Sequence, residues 1–92
     1  MVVVRLAHVP SPAPEEDERT FTDNISAHGA RVVSKCPWQP GAEVEVTSVR
    51  DGSAIRGSVV YCESKAGGRF SVGLDFGAHE VPWSTYKKFN GL

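Results

Sequence analysis

Residues 69–76 read RFSVGLDF. Phe70, Val72, Leu74 and Phe76 alternate with Arg69, Ser71, Gly73 and Asp75, which is the period of a strand with one face on a core. Outward from this stretch the same grammar repeats. Lys65–Gly68 is a turn, preceded by a strand from Ser53 to Glu63 with Ile55, Gly57, Val59 and Tyr61 on one face and Arg56 and Ser58 on the other. Arg50-Asp51-Gly52 signals a tight hairpin. Before it, Glu43–Val49 alternates, with Val44 and Val46 opposite Glu43, Glu45 and Thr47. CPWQPG at 36–41 supplies turn residues, and Ala30–Ser34 and Arg19–Asn24 read as two further strands. The first strand, Val2–His8, stops at PSPAP (10–14), because proline cannot donate to a ladder. The acidic run Glu15–Glu18 reads as a solvated loop.

Six short strands joined mostly by tight turns predict an all-β protein with antiparallel pairing. A single open sheet would leave two edges and an uncovered apolar face, so the expected architecture is a small six-stranded antiparallel β-barrel. The 92 residues make one domain, with the barrel at about 2–76 and a tail at 77–92. In that tail Trp83, Tyr86 and Phe89 recur every third residue, which suits a short C-terminal helix over a barrel mouth. Ser84 would cap it and Gly91 end it.

Composition narrows the function classes. A net charge of −1 gives no pull toward DNA, RNA or an anionic membrane, and no aromatic–basic stripe is present. MVVVRL is too short for a signal peptide core, and no apolar run reaches membrane-spanning length; the cytoplasm is the expected compartment. Cys36 and Cys62 are too few for a disulfide framework and are expected as buried free thiols. With His8, His28 and His79 they lack the close ligand pairing that structural zinc requires. Trp38 and Trp83 read first as core residues and second as contact residues. Ser26 and His28 lie two apart with no orienting acid, so catalysis is not expected.

The hexapeptide NISAHG (24–29) admits two readings. In one it is a six-residue connection: Gly29 takes a positive φ, Asn24 and Ser26 bond local amides, and Ile25 turns inward. In the other the same parts serve a nucleotide. Asn24 and Ser26 offer donors and acceptors, amides around Gly29 form an anion-binding nest, and His28 offers a ring on which a base can stack.

The spacing of Asn24, Ser26 and Gly29 (N-x-S-x-x-G) between the second and third strands resembles the D/N-x-S-x-x-G signature of the PilZ domain family. ARVV, QPGAEVEV, IRGSVVY and GGRFSVGLDF resemble, in order, the family's following segments, so the resemblance runs from about Val2 to Phe76. It implies a bacterial receptor domain for cyclic di-GMP, built as a six-stranded antiparallel barrel with a C-terminal helix. Asn24, Ser26 and Gly29 would touch the ligand, with His28 and Arg31 beside them.

The family's second motif, R-x-x-x-R ahead of the first strand, has no match. The arginines are Arg5, Arg19, Arg31, Arg50, Arg56 and Arg69, and no two stand four apart. Antiparallel pairing sets the start of the first strand beside the end of the second, so residues preceding Met1 would fall against NISAHG. A bidentate arginine on guanine is worth about 1–3 kcal/mol, and phosphate contacts add to it. Without two of them a micromolar site falls toward the millimolar range. The expectation is a cytoplasmic signalling module with weakened or absent affinity for cyclic di-GMP, and no other cofactor, metal or membrane insertion. The alternative is an adaptor acting only on a protein partner or a linked effector domain.

Overall fold

The computed structural model describes residues 2–9 and 18–83. It contains six strands: β1 Val3–His8, β2 Glu18–Ser26, β3 Gly29–Ser34, β4 Glu43–Ser48, β5 Ala54–Lys65 and β6 Arg69–Asp75. They hydrogen-bond in the order β1-β2-β3-β6-β5-β4, and β4 returns to β1 to close the barrel. Every neighbouring pair is antiparallel. The closing ladder, from Val4↔Ser48 to His8↔Val44, removes the unpaired edges that an open sheet would carry.

The alternation decides what lies inside. Val4, Leu6, Val32, Val44, Val46, Ile55, Val59, Val72, Leu74 and Phe76 form one buried cluster with Val81, Trp38 and Trp83. Each such side chain contributes about 1.5–3 kcal/mol when fully buried. Both tryptophans are core residues. Trp83 is sealed from solvent, meets Phe76 edge-on at 6.3 Å and donates its Nε1 proton to the Ser53 carbonyl. Trp38 stacks on the His8 ring at 4.0 Å. Phe76 lies over Gly57, where a β-carbon would come within 2.6 Å of the ring and 2.5 Å of the Asp75 carbonyl oxygen.

Several expectations are corrected. Cys36 is an exposed free thiol and Cys62 a half-buried one; Cys36 belongs to the CPWQPG turn, in which every residue but Trp38 is exposed. Glu18 is not loop but the first residue of β2, and its carboxylate accepts from the Ser34 hydroxyl and the Lys35 amide. The Asp51-Gly52 hairpin is a four-residue loop, with Ser48 N–H bonded to the Ser53 carbonyl and Gly52 in the left-handed region at φ 72°. β2 runs on through Ser26, two residues past its expected end. Tyr61 leaves the face of Ile55 and Val59, because the β5–β6 register shifts between Val59 and Tyr61. The predicted helix from Ser84 onward lies outside the described residues, as does most of the acidic run.

Candidate ligand-binding site

NISAHG is mostly strand. Asn24, Ile25 and Ser26 finish β2, Gly29 opens β3, and Ser26↔Gly29 is the last pair of the ladder. Only Ala27 and His28 turn the chain. Neither has a positive φ, which excludes the primed turns that Asn-Gly sequences favour. Gly29 has no positive φ either, so the expected nest around it is not built. Glycine is required there for another reason: a β-carbon would approach the Leu74 carbonyl oxygen of β6 to 2.8 Å. Ile25 packs inward against the core, and the Ser26 hydroxyl points a 3.4 Å hydrogen bond at the Gly29 carbonyl.

Two bulges shape the outer surface here. In β2 the register jumps from Thr22↔Val32 to Asn24↔Arg31, leaving Asp23 as the extra residue. Thr22 stays buried while Asp23 and Asn24 are both exposed, so one inserted residue carries Asn24 and Ser26 onto the outside of the barrel. In β5 Val60 is the extra residue, and beyond it Tyr61 pairs with Gly73 and Cys62 with Val72. That insertion sends Tyr61 out and Cys62 in. Asn24, Arg31, Gly73 and Tyr61 thereby form one cross-strand row over four neighbouring strands.

The row lines an open depression of about 200 Å³, with Ser26 and Gly29 along one side. Tyr61 lies across Gly73, filling the space a side chain would take. Arg31 reaches back to Asp23, with its Nε 2.8 Å from Oδ1 and both groups partly in solvent. The Asp23 hydrogen bond, then its charge, raise the Arg31 pKa above its ordinary value, with a further contribution from Tyr61. The guanidinium is thus cationic at any physiological pH.

His28 does not join this row. Its Nδ1 lies 3.0 Å from the His79 carbonyl oxygen, while Phe76 N–H bonds to the His28 carbonyl and Val81 N–H to that of Ala27. The turn is therefore strapped to the segment that follows β6. At the other flank, Val2 and Thr22 exchange backbone and side-chain hydrogen bonds, so the start of β1 lies against β2 two residues before Asn24.

A family model described as the PilZ domain matches residues 4–81. The chain belongs to the PilZ domain family. Comparison with curated proteins and with solved structures returned no match. PilZ domains are signalling modules of the cyclic di-GMP-binding type, a ligand-binding and adaptor family rather than a catalytic one, and the closed six-stranded barrel agrees with that membership. The matched range takes in the N-x-S-x-x-G residues and both bulges. Among the described residues no cluster of three or more His, Cys, Asp or Glu side chains could hold a metal ion, and no helix is long and apolar enough to cross a membrane.

Sequence reading placed Asn24, Ser26, Gly29 and Arg31 together and missed Asp23, Tyr61 and Gly73. The signals were slight. Val59-Val60-Tyr61 breaks strict alternation with three apolar residues in a row, which marks a bulge. Thr22-Asp23-Asn24 is instead polar throughout and leaves Phe21 and Ile25 at even spacing, so the β2 bulge has no such mark. Gly73 inside an otherwise regular strand marks a close approach.

Proposed function

We propose that this PilZ domain is a bacterial, cytoplasmic signalling module that takes cyclic di-GMP on the outer face bearing Asn24, Ser26 and Gly29, and that these 92 residues alone hold it weakly. The observation that carries the reading is the cross-strand row. Asn24 faces Arg31 across the β2–β3 ladder, Ser26 and Gly29 border the same depression, and Tyr61 offers an exposed ring face at its far end. Amide, hydroxyl, guanidinium and aromatic face are what a guanine nucleotide recruits. The weakness follows from Arg31 being the depression's only lining cation among the described residues and already facing a carboxylate.

The test is a titration with cyclic di-GMP, followed by amide chemical shifts and by calorimetry. The chain, its N24A and S26A variants, and a version with an Arg-x-x-x-Arg segment grafted ahead of Met1 are compared. The chain is expected to bind in the millimolar range, the variants not at all, and the graft about a hundredfold more tightly. A graft that takes up no ligand at high micromolar concentration overturns the receptor reading.

A second reading, an adaptor for a protein partner, is favoured by one observation. Val3 and Phe21 are register partners on β1 and β2, and both are large exposed apolar residues. Affinity capture that recovers one stable partner equally with and without cyclic di-GMP supports the adaptor.

A further inference from the structure

We infer that Asp23 is a built-in competitor for the site: its carboxylate holds the Nε edge of Arg31, and a phosphate-bearing ligand must displace it. This rests on the proposed ligand face and names the residue that sets its affinity.

The geometry makes the competition specific. Arg31 stands directly across the ladder from Asn24, one of the two polar residues lining the β2 side of the depression. Without the bulge, the residue before Asn24 would lie on the opposite face of β2. The inserted Asp23 instead shares the outer face with Asn24. Its Oδ1 meets Arg31 Nε at 2.8 Å. A phosphate oxygen would want that same donor, in a charge-assisted contact of the same kind. The carboxylate therefore acts against an anion twice, by occupying the donor and by repelling the incoming charge. Both partners are partly exposed, with side-chain exposures of 42% for Arg31 and 27% for Asp23, so the contact is of the weak, exchangeable class and a ligand can break it.

The opposite role is equally concrete: Asp23 could orient Arg31 toward the ligand, and its loss would then weaken binding. The sign of one substitution separates the two. Asp23→Asn keeps size and an acceptor oxygen but removes the charge. The chain, D23N and the D23N/R31A double variant are titrated with inorganic pyrophosphate and, separately, with cyclic di-GMP at two salt concentrations. Competition predicts that D23N binds pyrophosphate about two- to tenfold more tightly than the chain, that the gain shrinks at high salt, and that R31A removes most of it. Unchanged or weaker pyrophosphate binding by D23N overturns the inference. A gain for pyrophosphate with no response to cyclic di-GMP in any of these forms or in the arginine-grafted chain upholds the competition and sinks the receptor reading instead.

Discussion

A β-carbon built on Gly73 would stand 2.1 Å from Cε2 of Tyr61 and 2.5 Å from its Cδ2. The ring occupies a seat that exists only because position 73 has no side chain. The ring is the far end of a mobile side chain, so Gly73→Ala is expected to evict it without rebuilding β6. The expected cost is about 1–3 kcal/mol in urea denaturation. Tyr61→Ala combined with Gly73→Ala should cost clearly less than the two single changes added together, because the clash is shared. Strict additivity in that cycle would show that the two residues are not coupled as described.

Gly57→Ala is expected to be worse. There the added carbon meets the Asp75 carbonyl oxygen at 2.5 Å as well as the buried Phe76 ring at 2.6 Å, and backbone cannot swing away. Relief requires the backbone at Asp75 to shift and the Phe76 ring to move within the core. We expect a loss of about 2–4 kcal/mol, read as a fall in Tm of roughly 10 °C or more. A smaller loss for Gly57→Ala than for Gly73→Ala would contradict this ranking.

The two glycines also show where sequence reading works. Alternation in β6 and β4 assigned Phe70, Val72, Leu74, Val44 and Val46 to the inside, and strand count with turn spacing was enough to expect closure. Parity reasoning then failed at Tyr61, and it failed because of Val60: one inserted residue reverses every side chain after it. Asp23 does the same in β2, and NISAHG reads as a loop although four of its six residues are strand. Gly29 was assigned a positive φ from its place in a turn motif, whereas the demand on it comes from Leu74, forty-five residues away in sequence. Spacing along the chain carries the period of a strand. It does not carry the approach of a strand that folds back later.

Thr22→Val should loosen the start of β1 beside the site. Thr22 is fully buried, and its Oγ1 accepts the Val2 amide proton at 2.9 Å. Valine keeps the shape and removes the acceptor, leaving a buried amide unpaired at about 1–3 kcal/mol. Thr22→Ser keeps the acceptor and should retain slow hydrogen exchange at Val2, while Thr22→Val should lose it. Equal exchange in the two variants would mean that this hydrogen bond does not hold β1 in place.

His28 supplies the sharpest separation between a ligand contact and a structural strap. The His79 carbonyl can only accept, so the 3.0 Å contact requires the proton on Nδ1 of His28. Heteronuclear shifts should therefore report the Nδ1-protonated tautomer of the neutral ring. Together with Phe76 N–H to the His28 carbonyl and Val81 N–H to that of Ala27, this bond fastens the β2–β3 turn to the chain after β6. His28→Ala should cost about 0.5–1 kcal/mol and speed hydrogen exchange first at Val81. Binding of cyclic di-GMP, measured on the arginine-grafted chain, should fall far less than for Ser26→Ala, because His28 does not line the depression. If the two substitutions weaken binding equally, His28 belongs to the ligand and the strap is incidental.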